Sequence, residues 1–139
     1  GGTAGVEIET SRGLAQGDLD GDGALDLVVV NKDGPARLLL NRAPERGAAL
    51  TLRVRETSGA DALGAELPLE IGTKRLRRDV QAAYGYLASH SPLVHVGLGT
   101  EREAARVRVR WVDGAEEDFG PFAAGAVHEL RRGKGRKSE

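Results

Sequence analysis

Asp18-Leu19-Asp20-Gly21-Asp22-Gly23-Ala24-Leu25-Asp26 runs straight into Leu27-Val28-Val29-Val30, and this stretch decides the fold. Counted from Asp18, carboxylates stand at positions 1, 3, 5 and 9. Ca²⁺ takes about six to eight oxygens at roughly 2.3–2.6 Å, which such a loop supplies from a short piece of backbone. Ala24, at position 7, is expected to offer its carbonyl oxygen. Gly23 stands at position 6, where the chain turns sharply and a positive φ suits glycine. Without a cation the loop is costly, since close carboxylates repel by about 4 kcal/mol per pair at an effective dielectric near 20. An ordinary acidic turn needs one Asp and one Gly rather than four Asp in register. The predicted ligand set is therefore Asp18, Asp20, Asp22, Ala24 and Asp26, and the predicted cation is Ca²⁺.

The exit from the loop fixes its class. A helix–loop–helix calcium hand carries a bidentate Glu at position 12, and here that position is Val29. Leu27–Val30 is a β-branched run without helical period and reads as a buried strand. Asp26 is then expected to close the coordination shell of a strand–loop–strand site. A switch that opens two helices is not expected.

Gly17–Asn31, followed by Ala36-Arg37-Leu38-Leu39-Leu40-Asn41, resembles an FG-GAP repeat, the calcium-binding blade of integrin-like β-propellers. The likeness covers about residues 6–42. It implies that the aspartates at 18, 20, 22 and 26, with the carbonyl of Ala24, hold Ca²⁺. Around the loop, Val6–Glu9, Arg12–Leu19, Leu25–Asn31 and Ala36–Leu40 are expected as four strands of one blade-like antiparallel sheet. Asn31-Lys32-Asp33-Gly34-Pro35 is expected as the turn between the last two.

Composition sets the bounds. The chain has 139 residues, room for one ordinary domain or two small ones. Aromatic residues make up 4%, so the core must be built from Leu, Val and Ala. The net charge of −1 argues against nucleic acid as a partner. There is no Cys, which excludes a disulfide framework, a thiolate metal site and a Cys nucleophile. No apolar run approaches a membrane span. The Gly1-Gly2-Thr3 start reads as the interior of a longer protein or as an expression boundary.

Past a boundary at Pro44–Gly47 the pattern is again β. Leu50, Leu52 and Val54 alternate with Thr51, Arg53 and Arg55. Leu67, Leu69 and Ile71 alternate with Glu66, Pro68 and Glu70, and Pro68 predicts an edge strand or a bulge. Thr57–Leu63 reads as a loop, and Gly72-Thr73-Lys74 turns the chain into Arg75–Ala83. Leu93–Val96, Ala105–Trp111 and Val127–Leu130 complete a predicted β-sandwich, with Asp113-Gly114 as a hairpin turn. Val107, Val109 and Trp111 are expected inside, with Arg106, Arg108 and Arg110 outside.

Leu63-Gly64-Ala65, Tyr84–Ser91, Val94-His95-Val96-Gly97-Leu98-Gly99 and Val107–Gly114 are similar to the ASPIC/UnbV domain. In the cartilage acidic protein family and its bacterial homologues that domain follows FG-GAP repeats. The family's loop before the Gly-Ala pair often reads Asn-Arg, where this chain has Asp61-Ala62-Leu63. The resemblance implies a secreted or periplasmic, calcium-dependent adhesion-type protein with no catalysis. It also implies several blades, where this chain carries one. A lone blade exposes both sheet edges. It is expected to pack on the sandwich, to pair with a second copy, or to end a longer propeller.

Other features have plainer readings. His90 and His95 flank Ser91, but no Gly-x-Ser-x-Gly elbow supports a nucleophile. His128 reads as a solvated strand residue. Gly97-Leu98-Gly99 lacks the Lys-Ser/Thr of a P-loop and reads as a strand-ending turn. The Arg rows read as a solvent face, with a sulfated-glycan stripe as the rival. Residues 132–139 read as a disordered basic tail. Tyr84 and Tyr86 are the candidates to stack on a sugar ring. The expectation is an all-β, non-enzymatic chain. Residues 1–43 form an FG-GAP-like calcium-binding blade, and 47–131 an ASPIC/UnbV-like β-sandwich. Its partner is expected to be a protein or a glycan, and the rival function is a carbohydrate-binding sandwich.

Overall fold

The computed structural model describes residues 9–137. Among them every regular element is a β-strand, as the alternating pattern requires. The expected strand at Val6–Glu9 lies outside the described residues except for Glu9. The chain divides into two units, Gly1–Pro44 with Ala82–Ser91, and Glu45–Gln81 with Pro92–Glu139.

In the first unit β1 (Ser11–Gly17), β2 (Asp26–Asn31) and β3 (Arg37–Leu39) form an antiparallel sheet in chain order. The β-branched run takes the centre, where both ladders hold it. Leu14 lies opposite Val29, Val28 opposite Leu38, and Leu27 opposite Leu39. The final β1–β2 pair is Gly17 with Asp26, so pairing clamps both ends of the acidic loop. The β2–β3 turn is tied by the buried Asn31. Its amide donates to the Pro35 carbonyl at 3.0 Å and to Glu9 Oε2 at 2.7 Å, and accepts from Ser11 Oγ at 2.8 Å.

Ala82–Ser91 belongs by its contacts to this unit, whereas the expected boundaries put it in the downstream domain. The His90 N–H donates to the Ala82 carbonyl at 2.8 Å, and the Gln16 N–H donates to His90 Nδ1 at 3.2 Å. The Tyr84 ring meets the His90 ring edge-on, 5.1 Å between centroids. Tyr84 and Tyr86 remain 50% and 69% exposed.

In the second unit β4 (Ala48–Arg55), β7 (Val94–Gly99) and β12 (Val127–Arg131) form one sheet in the order β12-β4-β7. A five-stranded sheet runs β13-β10-β9-β5-β6, from β5 (Glu66–Ile71), β6 (Lys74–Asp79), β9 (Arg106–Arg110), β10 (Glu116–Phe119) and β13 (Arg136–Lys137). A small pair joins β8 (Glu103–Ala104) to β11 (Phe122–Ala123). One buried cluster draws on both larger sheets: Leu50, Leu52 and Val54 from β4, Val94, Val96 and Leu98 from β7, Leu67, Leu69 and Ile71 from β5, Val107 and Val109 from β9. Trp111 and Leu130 join it, with Ala62, Ala65, Val80 and Ala104 filling the gaps. Each fully buried Leu or Val contributes about 1.5–3 kcal/mol. The period-2 runs of the sequence are therefore the inner face of a sandwich.

Three expectations differ from the structure. Strand β5 is not an edge, because β6 and β9 flank it. Its pairs with β9 are Glu66, Leu69 and Glu70, and this ladder skips Pro68, which has no N–H to give. Strand β12 is not the last, and it runs parallel to β4.

Residues 132–137 of the supposed disordered tail are folded, with β13 paired to β10. Buried Glu117 makes that fold, accepting N–H bonds from Gly133 at 3.0 Å and Gly135 at 2.9 Å. Gly133 has φ 83°, and a Cβ on Gly135 would come within 2.7 Å of Phe119 Cζ. Arg132 lies over the Trp111 ring at 5.4 Å and pairs with Glu56 and Asp113. Gly133 is required by its left-handed backbone, and Gly135 by the close approach of Phe119 and Glu117. His128 is a strand residue as expected, half-exposed on β12, with Nε2 2.8 Å from the Ala123 carbonyl oxygen and its ring 4.8 Å from that of Phe122.

Candidate metal centre

The loop between β1 and β2 is organised by its own carboxylates. Asp18 Oδ1 accepts the N–H of Gly21 at 2.8 Å and of Asp22 at 3.1 Å, and Oδ2 accepts that of Gly23 at 3.0 Å. Asp20 Oδ1 accepts the Asp22 N–H at 3.3 Å, and Asp22 Oδ1 that of Ala24 at 2.9 Å. Short acidic side chains bond readily to backbone N–H groups a few residues on, and a run of them coils the chain around itself. Gly21 and Gly23, at φ 77° and 84°, supply the left-handed steps this coil needs.

The result gathers Asp18, Asp20 and Asp22, whose nearest carboxylate oxygens all lie within 4.8 Å of one another. All three residues are exposed at the surface. Among the described residues this is the one such group of three or more metal-ligating side chains. The donor set is all oxygen and all anionic. It suits a hard divalent ion of the Ca²⁺ type, which accepts irregular geometry, rather than a soft one.

Asp26 is placed differently from the other three. It is 1% exposed and stands outside the triad, at the start of β2. Its Oδ1 accepts the Asn41 N–H at 2.8 Å and its Oδ2 the Leu19 N–H at 2.9 Å. These two bonds, Asn41 first, hold its pKa below the usual carboxylate value, against the opposing effects of burial and of Asp22. Asp26 thus joins the end of β3 to the start of the acidic loop. Ala24, within the loop, is buried.

The sequence reading missed one residue of the site. Arg42 Nη2 lies 2.8 Å from Asp20 Oδ2, and Nη1 lies 3.4 Å from Asp22 Oδ2. Arg42 follows the second strand after the loop, and no local spacing links it to the aspartates.

The family described as ASPIC and UnbV matches residues 55–137. The chain is similar to Cartilage acidic protein 1 of Mus musculus, with 37% identity over 101 residues, covering 70% of this chain and 16% of that protein. The protein of the same name from Xenopus tropicalis is 36% identical over 106 residues, covering 73% of this chain and 16% of its own length. That from Homo sapiens is 37% identical over 101 residues, 70% of this chain and 15% of its own. The chain thus spans about one sixth of the length of these relatives.

Proposed function

The chain belongs to the ASPIC and UnbV family, and on that premise we propose that it is a non-enzymatic, calcium-binding module of a secreted or periplasmic protein, acting in adhesion or protein interaction. The observation that carries the calcium reading is the convergence of Asp18, Asp20 and Asp22 at the mouth of the loop. These three would hold the ion, with the Ala24 carbonyl and Asp26 completing the set the FG-GAP resemblance implies. The ion's contribution is structural: it offsets the repulsion of three neighbouring carboxylates and ties the β1–β2 connection. Cartilage acidic protein 1, the name of the relatives, is not an enzyme name, and secretion and adhesion rest on the family resemblance.

The test is calorimetric Ca²⁺ titration together with thermal melting in Ca²⁺ and in chelator. At free Ca²⁺ about 100 times the dissociation constant, the stabilisation is about 2.7 kcal/mol. A melting curve indifferent to chelator, with no heat of binding, would remove the calcium reading.

The exposure of Tyr84 and Tyr86 favours a second reading, carbohydrate binding, because an exposed ring can stack on a sugar face. Both lie on the segment that joins the first unit, so such a site would not be on the sandwich. Glycan-array binding lost in Tyr86→Ala supports it, and an array without hits counts against it.

A further inference from the structure

Arg42 is the group at the acidic loop that the calcium reading leaves unexplained. Its guanidinium bridges two members of the triad, Nη2 to Asp20 Oδ2 at 2.8 Å and Nη1 to Asp22 Oδ2 at 3.4 Å. The opposite oxygens of the same carboxylates, Asp20 Oδ1 and Asp22 Oδ1, accept the loop's own N–H groups. Backbone therefore fixes one side of each carboxylate, and Arg42 covers the other. The loop's own N–H groups hold the inner oxygens of these aspartates, and the outward oxygens face Arg42.

We infer that Arg42 is the site's own competing cation: it occupies the carboxylate oxygens a divalent ion would use, and it must be displaced when the ion binds. This rests on the calcium reading above. Arg42 offsets one of the three negative charges of Asp18, Asp20 and Asp22, and ligand charge count is a main determinant of calcium affinity. The Arg42 side chain is 63% exposed, against 26% for Asp20 and 22% for Asp22. A pair so open to water is weak, so it lowers affinity without abolishing it. The consequence is a site tuned toward the weak, extracellular end of the calcium range, with an arginine that becomes available to another anion once the metal is in place.

The test compares Ca²⁺ titrations of the wild type, Arg42→Gln and Arg42→Lys in the whole chain. Arg42→Gln keeps polarity but removes the charge, and tightens Ca²⁺ binding about two- to five-fold at low ionic strength. The gain shrinks in about 1 M salt, where screening acts over roughly 3 Å. Arg42→Lys keeps the charge and binds within about two-fold of the wild type. In the wild type, saturating Ca²⁺ shifts the Arg42 Nε–Hε resonance. If the wild type binds and Arg42→Gln binds equally or more weakly, or if that resonance does not respond, the inference is overturned while the calcium reading stands. If no variant binds millimolar Ca²⁺, the calcium reading fails and takes the inference with it.

Discussion

Asp18, Asp20, Asp22 and Asp26 share one chemistry, and burial divides their work. The first three are exposed and converge, whereas Asp26 is buried and accepts one N–H from the start of the loop and one from the chain beyond β3. Replacing Asp26 by Asn leaves one good acceptor for two donors, and a buried N–H left unpaired is destabilising. Asp26→Asn is therefore expected to lower the melting temperature by on the order of 5 °C in chelator, with no metal present. Asp18→Asn and Asp22→Asn should melt near the wild type in chelator and lose most of the Ca²⁺-dependent gain. Equal melting of wild type and Asp26→Asn in chelator would show that Asp26 is not the loop's anchor. The triad was legible because its alternate spacing in a Gly-rich run leaves few other uses. The anchoring role of Asp26 was not, because it depends on Asn41, fifteen residues away on the far side of a hairpin. Arg42 was hidden for the same reason.

At the scale of elements, the arginine rows show what alternation reveals and what it omits. The sequence placed Arg106, Arg108 and Arg110 on one face of β9, opposite Val107, Val109 and Trp111, and that division holds. Their partners were invisible until the strand order was known. Arg106 meets Asp118 at 2.8 Å, Arg108 meets Glu116 at 3.1 Å and Asp118 at 3.2 Å, and Arg110 meets Glu66 at 3.7 Å. Arg77 pairs with Glu66 and Asp79. A supposed basic stripe is a sheet face of mixed charge. Asp118 is its most perturbed member: hydrogen bonds from Arg106, and with them Arg108, outweigh burial and bring its pKa from 3.8 to about 2. A carboxylate depressed in the folded state stabilises above its unfolded pKa, and that stabilisation is lost as pH falls through the folded value. Wild type should therefore exceed Asp118→Asn by up to about 2 kcal/mol at pH 7, in urea titrations. The gap should close between about pH 4 and pH 2. A gap that stays constant down to pH 2 would place the stabilisation elsewhere. Alternation marked the strands at Leu50–Val54, Leu67–Ile71, Leu93–Val96, Ala105–Trp111 and Val127–Leu130, because period-2 burial is local; it did not mark β6, β8, β10 or β11, which are short or carry mostly charged residues. It gave neither the parallel β4–β12 pairing nor the return of β13, which depend on contacts such as Glu117 with Gly133 and Gly135.

The two units of the molecule are held by different means. The second unit owns the large apolar cluster, and every member of it lies in residues 45–81 or 92–130. Among the described residues of the first unit, the buried side chains are Ala24, Asp26 and Asn31. That unit depends on its ladders and on two buried polar residues that tie loops. Ala82–Ser91 belongs to it although the chain on either side belongs to the second unit. A chain of residues 45–139 should therefore keep a cooperative core, reported by the fluorescence of buried Trp111, since none of the cluster is removed. The same chain has lost Gln16, whose N–H His90 accepts, and the rest of β1. Local opening free energies follow the contacts a segment keeps. Hydrogen exchange should show amides of residues 83–89 exchanging faster in the 45–139 chain than in the whole protein, while β4, β5, β7 and β9 keep their protection. If residues 83–89 stayed equally protected in both, the segment would be held from within the second unit. If the core strands lost protection instead, the first unit would be a structural requirement of the sandwich and not a unit tied by its own loops.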